Sequence, residues 1–280
     1  MLQQRELDML DMVNCIQVDP YDVSRIVLIV SPCRSGSTVM LRVFGASDIV
    51  SHFQVLKNTL RWRMQGEIRP WQIPHGHDKV IVLKETLGPF TDEECRFNPL
   101  QLLLQAGYPA DRLKIVILSR DPFQTWASWQ RWWGKKTNPE LFIKTYLCVE
   151  ELRKQADLAG INLTCLCYDI FRDHYAGEVL GKLFYRLGLV WSSRVLEGWN
   201  NLPSFGDPGS NIVLPEEPFR FVTSEIHDHV IKSDYFRYTP RDIHRESLDS
   251  CILKKFDQNG LANLYDTWLH ACRQDLDFHL

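Results

Sequence analysis

The stretch that decides the fold is residues 25–44, which read RIVLIVSPCRSGSTVMLRVF. Its first six residues, 25–30, form a continuous apolar run rich in β-branched side chains, which is typical of a strand buried on both faces. A turn of small and polar residues follows. Residues 38–44 then have the apolar spacing of a helix, with Gly45 expected as its C-cap. The stretch predicts a strand, a tight turn and a helix in direct succession.

Apolar runs of the same kind recur along the chain, at residues 79–84, 114–118 and 163–168, and more weakly at 49–53. Helical patterns at 122–133, 139–159 and 177–187 lie between or after them. Asp121 and Pro122 are placed as the N-cap and first residue of the first of these helices. Such alternation predicts a three-layer α/β fold, a mainly parallel sheet with helices on both faces, and ligands beyond the carboxyl ends of the strands.

Composition narrows the range of partners. The net charge of the 280 residues is −3, so no general basic field predicts binding to nucleic acid or to an anionic membrane. Early charges such as Arg5 and Asp8, and the lack of a long apolar run, predict a cytoplasmic protein with no secretory signal and no membrane partner. The eight cysteines fit neither a disulfide framework nor a zinc pattern, so reduced thiols are expected, with Cys165 and Cys167 on one face of a buried strand.

The turn after the first strand has the composition of a phosphate-binding loop. Backbone N–H groups at a helix N-terminus collect phosphate oxygens, and Gly36 allows the backbone to approach closely. Ser37 and Thr38 add hydroxyl groups, and Arg34 adds a cation that does not lose its proton. The alternative is an ordinary strand-to-helix turn with no ligand.

This turn is not a Walker A loop. That motif needs G-x-x-x-x-G-K-[ST], whereas Ser31 stands at the position of its first glycine and Ser37 at the position of its lysine. A P-loop-type kinase that uses ATP would lack its main contact to the β- and γ-phosphates, so it remains the less favoured enzyme class. Sulfuryl transfer makes a smaller electrostatic demand, because the group that moves carries less negative charge.

The string SPCRSGST resembles the 5′-phosphosulfate loop of the PAPS-dependent sulfotransferase family, whose members have a P-loop-like fold. The resemblance implies transfer of a sulfuryl group from 3′-phosphoadenosine-5′-phosphosulfate (PAPS) to a small-molecule acceptor, with adenosine 3′,5′-bisphosphate (PAP) as product and no metal. It implies that Arg34 helps the bridging oxygen to leave. Ser35, Gly36, Ser37 and Thr38 would hold the 5′-phosphate.

Two further segments carry the same resemblance. Strand 114–118 leads into Ser119-Arg120-Asp121-Pro122, and Ser128 stands eight residues after Arg120. The resemblance implies that Arg120 and Ser128 bind the 3′-phosphate, and a guanidinium and a hydroxyl can converge on one phosphate. A surface Arg–Asp pair beside a capped helix is the alternative. Tyr168 and Asp169 end the strand at 163–168, where Tyr168 would shape the nucleotide pocket and Asp169 is expected to be structural.

A catalytic base is expected, because an acceptor hydroxyl loses a proton as it attacks sulfur. The histidine that many cytosolic members carry is absent from Lys84-Glu85-Thr86-Leu87-Gly88-Pro89. Glu85 is one candidate, with Lys84 assisting at the leaving oxygen or the sulfuryl group. His52 ranks first, since imidazole titrates near neutral pH, although a histidine satisfied by a backbone carbonyl is the alternative. A protein that binds the nucleotide and has lost catalysis also stays open.

The acceptor is not identified, and transfer to a hydroxyl or to a nitrogen both remain open. Tryptophans are concentrated near Arg120, and they either face the core at helical spacing or line an acceptor pocket; they are Trp126, Trp129, Trp132 and Trp133, with Trp62 and Trp71 elsewhere. His75 and His77 share a polar loop without a third ligand nearby, so no metal site is predicted.

The chain is expected to form one sulfotransferase domain over residues 1–280. Residues 25–190 contain the three matching segments and would form its nucleotide-binding core. Residues 200–280 would form a loop and a helical cap on the acceptor side. Prolines and glycines between residues 200 and 219 predict a long irregular connection. The oligomeric state is not indicated.

Overall fold

The computed structural model describes residues 12–218, 227, 230, 232–239 and 248–278. The strands in these residues are β1 (Ile16–Gln17), β2 (Arg25–Pro32), β3 (Val50–Phe53), β4 (Trp71–Gln72), β5 (Val80–Leu87), β6 (Leu113–Ser119), β7 (Asn162–Cys167) and β8 (Ile212–Val213). The helices are α1 (Ser37–Ala46), α2 (Val55–Met64), α3 (Asp92–Arg96), α4 (Pro99–Gln105), α5 (Pro122–Trp133), α6 (Pro139–Leu158), α7 (Ile170–Asp173), α8 (Ala176–Arg186), α9 (Ser250–Gln258) and α10 (Leu261–Asp275).

A parallel sheet lies at the centre, with its strands in the order β7-β6-β2-β5-β3-β8. The chain passes from β2 through α1 to β3, which is not adjacent to β2, and β5 later inserts between these two strands. After β5 the chain crosses to the other side of β2 and forms β6. The strand order therefore reverses at β2, and a parallel sheet binds ligands at the carboxyl ends of the strands where this reversal occurs.

The predicted fold class, a three-layer α/β fold with a mainly parallel sheet, is confirmed. Residues 26–32 of β2 are buried along their whole length, as expected where helices cover both faces of a sheet. Strand β2 pairs with β5 and β6, so Ile26 stands opposite Ile81 and Leu113. The strands predicted at 25–30, 79–84, 114–118, 163–168 and 49–53 all form, within a few residues of the expected bounds.

Helix α5 begins as predicted, since the Asp121 side chain accepts a hydrogen bond from the N–H of Gln124 and Pro122 occupies the first turn. The prediction that Gly45 caps α1 is wrong, because the helix continues to Ala46. Gly45 instead lets β8 approach the helix. A Cβ atom at this position would come within 2.7 Å of Ile212 Cγ1.

The C-terminal helix α10 packs on β7. Asp275 accepts a hydrogen bond from the N–H of Cys165 at 2.7 Å, and Cys272 Sγ accepts one from the N–H of Cys167 at 3.2 Å. Residues 200–218 are irregular as predicted, except for a 3-10 turn that ends at Asn201 and the two residues of β8, and Phe219 lies outside the described residues. No helix in the part of the chain described above is long and apolar enough to cross a membrane.

Candidate functional site

A cavity of about 640 Å³ opens at the carboxyl ends of β2, β5 and β6, where the strand order reverses. The loop that joins β2 to α1 forms its floor. Residues after β5 and β6 form two walls, and residues between 227 and 239 form a third. The cavity therefore lies where an open parallel sheet is expected to bind its ligand.

The loop that joins β2 to α1, residues 33–36, is called the phosphate loop here after the ligand that the sequence leads us to expect. It leaves the N-terminus of α1 open toward this cavity. Gly36 is the N-cap residue, with φ 90°, and no side chain caps the helix. Gly36, Ser37 and Thr38 line the cavity, so the positive end of the helix dipole faces it. The Tyr168 ring lies on Gly36, where a Cβ atom would come within 2.5 Å of Tyr168 Cδ2. Glycine suits this position because the backbone φ is in the left-handed region and because the Tyr168 ring leaves no room for a Cβ atom.

Two arginines from different strand ends join the loop. Arg34 has a left-handed backbone, with φ 74°, which is unusual for a residue with a side chain. Its Nε donates to Ser128 Oγ at 3.2 Å, and its guanidinium lies 5.3 Å from the centre of the Trp132 ring. Arg120 Nη2 donates to Gln124 Oε1 at 2.9 Å. The Arg120 guanidinium lies 5.7 Å from the Tyr168 ring, and its buried Nε has no hydrogen-bond partner among the described residues.

Most of the predicted nucleotide-binding residues therefore line one cavity: Arg34, Gly36, Ser37, Thr38, Arg120, Ser128 and Tyr168. Ser35 does not. It is fully buried behind the loop, and its Oγ has no partner in the described part of the chain.

The charges around the cavity are unbalanced. Its lining includes six basic side chains, and Asp234 is the one carboxylate among the lining residues that the structure describes. The basic residues are Arg34, Arg61, Lys84, Arg120, Lys232 and Arg237. A cavity lined by cations with low-dielectric walls attracts anions, so its ligand is expected to carry several negative charges.

Lys84 lines the cavity on the β5 side of the loop. Its side chain is 1% exposed, and its Nζ lies 3.8 Å from the centre of the Phe53 ring. Burial lowers the pKa of Lys84 to about 7, with nearby Lys57 acting in the same direction and Cys33 and Glu85 opposing it. The Lys84 side chain therefore has a weaker preference for its charged form than an exposed lysine has.

Glu85 is not brought into the cavity. Its carboxylate accepts hydrogen bonds from the N–H groups of Leu56 at 2.9 Å and Lys57 at 3.0 Å, so it caps the N-terminus of α2. Burial raises the pKa of Glu85 to about 7. Adjacent residues of a strand point to opposite faces, so Lys84 and Glu85 cannot both face the loop.

His52 also lies outside the cavity lining. It is buried in β3, and its ring meets that of Trp71 edge-on with the centroids 5.7 Å apart. Burial lowers the pKa of His52 to about 4, so the imidazole is neutral at neutral pH. Its Nε2 has no hydrogen-bond partner among the described residues.

The tryptophans of α5 divide between the core and the cavity. Trp126 and Trp129 are buried and meet Phe142 edge-on, and Trp129 Nε1 donates to the carbonyl oxygen of Cys33 at 2.9 Å. This bond fixes the start of the phosphate loop. Trp133 lines the cavity together with Phe90, their ring centroids being 5.7 Å apart. One side of the cavity mouth is therefore aromatic.

Three polar residues that line the cavity near β5 are not predicted from the sequence. They are Gln54, Arg61 and Thr86. Gln54 stands directly after β3, and a polar residue at the carboxyl end of a parallel strand is the signal that singles out Arg120. Arg61 lies within α2 and carries no comparable signal. Its Nε pairs with Glu94 at 2.8 Å and its Nη1 with Glu217 at 3.2 Å.

Asp169 is structural, as expected. Its carboxylate accepts from the N–H of Asp121 at 2.9 Å, from Tyr238 Oη at 3.2 Å and from Tyr265 Oη at 2.6 Å. It therefore ties the turn that carries Arg120 to helix α10 and to the segment that contains Tyr238. The three donors restrain this half-buried carboxylate together.

Comparisons with known proteins add the following. No protein-family model matches the chain, and no curated protein does. Among solved structures, the sulfotransferase domain from the curacin biosynthetic pathway is 15% identical, covers 84% of this chain and 97% of its own, and has a TM-score of 0.44. Retinol dehydratase in complex with retinol and PAP is 15% identical, covers 98% of this chain and 86% of its own, and has a TM-score of 0.42. TM-scores in this range do not establish a common fold.

Proposed function

We propose that this protein is a sulfotransferase that moves a sulfuryl group from PAPS to a hydroxyl or nitrogen of a small-molecule acceptor. The observation that carries the proposal is the meeting of an uncapped helix N-terminus with two arginines from different strand ends in one cavity. A nucleotide with phosphates at both ends of its ribose needs two such cationic points. The six basic side chains of the cavity lining fit such an anionic ligand.

We assign a position to each phosphate of the donor from the residues that surround that position. The 5′-phosphate is placed at the N-terminus of α1, where Gly36, Ser37 and Thr38 offer N–H and hydroxyl groups. The 3′-phosphate is placed at Arg120, whose buried Nε has no partner among the described residues. Ser128 lines the same cavity, and its hydroxyl accepts a hydrogen bond from Arg34 Nε.

Arg34 is assigned to the leaving group. During transfer the bond between sulfur and the 5′-phosphate oxygen breaks while sulfur bonds to the acceptor atom. The electron pair stays on the phosphate oxygen, and the acceptor's proton leaves for solvent. A guanidinium beside that oxygen stabilises the charge that develops there. The aromatic pair of Phe90 and Trp133 at the cavity mouth would hold the carbon skeleton of the acceptor.

Calorimetric titration of PAP and ATP, each with and without magnesium, tests the proposal. PAP is expected to bind tightly without magnesium and ATP weakly. Tight binding of ATP only with magnesium would instead indicate a phosphotransferase, and failure to bind PAP would contradict the proposal.

An arginine variant tests the assignment of the 3′-phosphate. Arg120→Ala should weaken PAP binding by about tenfold or more, since a charge-assisted hydrogen bond is lost, and should leave adenosine 5′-phosphate almost unaffected. Arg131→Ala is the matched control, because Arg131 lies on the same helix and is exposed. Equal losses for the two nucleotides would remove Arg120 from the 3′-phosphate site.

A further inference from the structure

Trp129 of helix α5 holds the first peptide group of the phosphate loop. Its side chain is fully buried, and its Nε1 donates to the carbonyl oxygen of Cys33 at 2.9 Å. This carbonyl belongs to the peptide group that joins Cys33 to Arg34. Because a peptide group is planar, a hydrogen bond to its oxygen restrains the whole plane. The bond therefore restrains the φ angle of Arg34 as well.

The backbone of Arg34 needs such a restraint. Its φ is 74°, in the left-handed region that residues with side chains avoid. Rotation of the Cys33–Arg34 peptide plane by about half a turn would return this φ to the favoured negative region. The same rotation would turn the Cys33 carbonyl away from Trp129 and would leave a buried indole N–H without an acceptor, which is costly. The bond from Trp129 thus opposes the relaxation.

Strand β5 and the turn after it hold the rest of Cys33. The Cys33 N–H donates to the carbonyl of Leu87 at 3.1 Å. Its Sγ donates to Thr86 Oγ1 at 3.2 Å and to the carbonyl of Gly88 at 3.3 Å. These bonds restrain the nitrogen and the side chain of Cys33, whereas the carbonyl is the part of the residue that α5 holds.

Helix α5 also holds the side chain of Arg34. Arg34 Nε donates to Ser128 Oγ at 3.2 Å, and the guanidinium lies 5.3 Å from the centre of the Trp132 ring. Ser128 and Trp132 are four residues apart, so they share one face of the helix. The same helix therefore restrains both the backbone and the side chain of Arg34, and Trp129 supplies the contact to the backbone.

We propose that Trp129 is a positioning residue for sulfuryl transfer, whose indole N–H keeps Arg34 in its left-handed conformation and so places the guanidinium beside the oxygen that leaves. The inference rests on the proposed function. In that reaction the electron pair of the broken sulfur–oxygen bond stays on the 5′-phosphate oxygen, and a cation stabilises it only from the correct position. Rotation of the peptide plane would also turn the Cα–Cβ bond of Arg34. A small turn there moves the guanidinium, at the end of a long side chain, by a larger distance.

Calorimetric titration of PAP and of adenosine 3′-phosphate tests the inference without an acceptor. PAP carries on its 5′-phosphate the charge that the leaving oxygen acquires, whereas adenosine 3′-phosphate has no phosphate at the position assigned next to Arg34. Trp129→Phe should lower PAP affinity by about tenfold, since a charge-assisted contact is weakened, and should change adenosine 3′-phosphate affinity by less than about twofold.

Trp126→Phe is the matched control. Trp126 is buried in the same helix and, like Trp129, meets Phe142 edge-on. Its Nε1, however, has no hydrogen-bond partner among the described residues. The control variant loses the same part of an indole ring without losing a bond to the loop, so both nucleotides should bind with nearly wild-type affinity.

A second variant separates the hydrogen bond from the packing of the ring. Trp129→benzothienylalanine keeps the size of the indole and places sulfur where the N–H was, so the ring contacts with Phe142 and Trp133 are retained. PAP affinity should again fall by about tenfold, because the donor to the Cys33 carbonyl is lost.

A double variant shows whether Trp129 acts through Arg34. Arg34→Gly removes the guanidinium and suits a left-handed φ. In this background Trp129→Phe should cause no further loss of PAP affinity, because the group that Trp129 positions is already absent. Additive losses, equal losses for the two nucleotides, or wild-type PAP affinity in both Trp129 variants would overturn the inference while leaving the donor site intact. Failure of the wild-type protein to bind PAP would contradict the proposed function itself.

Discussion

At the scale of single residues, Gly36 shows why the loop between β2 and α1 tolerates no side chain at this one position. Its φ of 90° and the Tyr168 ring above it are separate obstacles, one of backbone strain and one of space. The backbone strain and the steric obstacle both lie at the position proposed for the 5′-phosphate of the donor. A methyl group here would displace the ring or the loop, and either movement would change the positions of the N–H groups at the start of α1.

Gly36→Ala is therefore expected to lower PAP affinity by at least about thirtyfold, as measured by titration calorimetry, since several charge-assisted bonds depend on the loop. Gly66→Ala is the matched control. Gly66 has φ 81° but nothing within 4 Å of a Cβ atom, so it carries the strain without the clash. Both variants should lose about 1 kcal/mol of stability from the backbone. PAP binding by Gly36→Ala at wild-type affinity would show that the phosphate does not bind at this loop.

The sequence alone predicts that Arg34, Gly36 and Arg120 belong to the site, because each stands near the end of an apolar run, where a parallel sheet exposes its ligand-binding edge. The environment of Lys84 cannot be predicted in this way. Which of two adjacent strand residues faces the cavity depends on the layers packed on each side of the sheet. Whether a carboxylate lies near the lysine depends on contacts distant in sequence. For the same reason His52 and Glu85 are good candidates for a base by residue type, yet neither lines the cavity.

At the scale of elements, Glu85 joins β5 to α2. Its carboxylate occupies the position of an N-cap, although it comes from another element, and it satisfies two N–H groups that the helix itself cannot. Burial raises the pKa of this carboxyl to about 7. A carboxyl with a raised folded-state pKa contributes stability that is fully present below the unfolded-state pKa and is lost as pH rises through the folded-state value.

Glu85→Gln removes the titrating group but keeps one acceptor oxygen of the two, so one backbone N–H at the start of α2 loses its partner at every pH. The wild-type protein is therefore expected to be the more stable of the two at pH 5. Between pH 5 and pH 8 the difference should shift in favour of the variant by about 2–3 kcal/mol, because only the wild-type protein must bury a charge at the higher pH. Urea unfolding at the two pH values measures the difference. A constant difference between pH 5 and pH 8 would contradict the assigned shift.

Element boundaries follow closely from local sequence where caps are explicit. Asp121 and Pro122 mark the start of α5, and the structure begins the helix there. Gly45 gives a false signal, because glycine near the end of a helical pattern serves either as a cap or as a place of close packing. The strand that packs against it, β8, lies more than 160 residues later in the chain. No local rule distinguishes the two uses.

At the scale of the whole molecule, strand order is what creates the site. The alternation of strands and helices predicts a parallel sheet, but five strands can be ordered in many ways, and the order places β2 between β5 and β6. That arrangement brings the loop between β2 and α1, Arg120 and Lys84 around one cavity. The C-terminal helices then complete the structure. The hydrogen bonds that Cys272 and Asp275 make to β7 join residues more than 100 positions apart, so these polar contacts are not visible in the sequence.

Tyr265 provides one of those contacts and links α10 to the donor site. Its hydroxyl donates to Asp169 at 2.6 Å, and Asp169 holds the N–H of Asp121 next to Arg120. Tyr265→Phe should lower the free energy of unfolding by about 1–2 kcal/mol, because a hydrogen bond to a charged acceptor is lost. PAP affinity should fall by about threefold, since the turn that carries Arg120 loses one of its restraints. Tyr185→Phe is the control, with a side chain that is 86% exposed.

The comparison of PAP with adenosine 5′-phosphate shows where the coupling acts. If α10 supports the site through the Arg120 turn, Tyr265→Phe should weaken PAP binding and leave adenosine 5′-phosphate binding unchanged, because only PAP carries the phosphate assigned to Arg120. A loss shared by both nucleotides would mean that the helix supports the fold in general. An unchanged affinity for both, with stability reduced, would show that Tyr238, which also donates to Asp169, is sufficient to hold the turn.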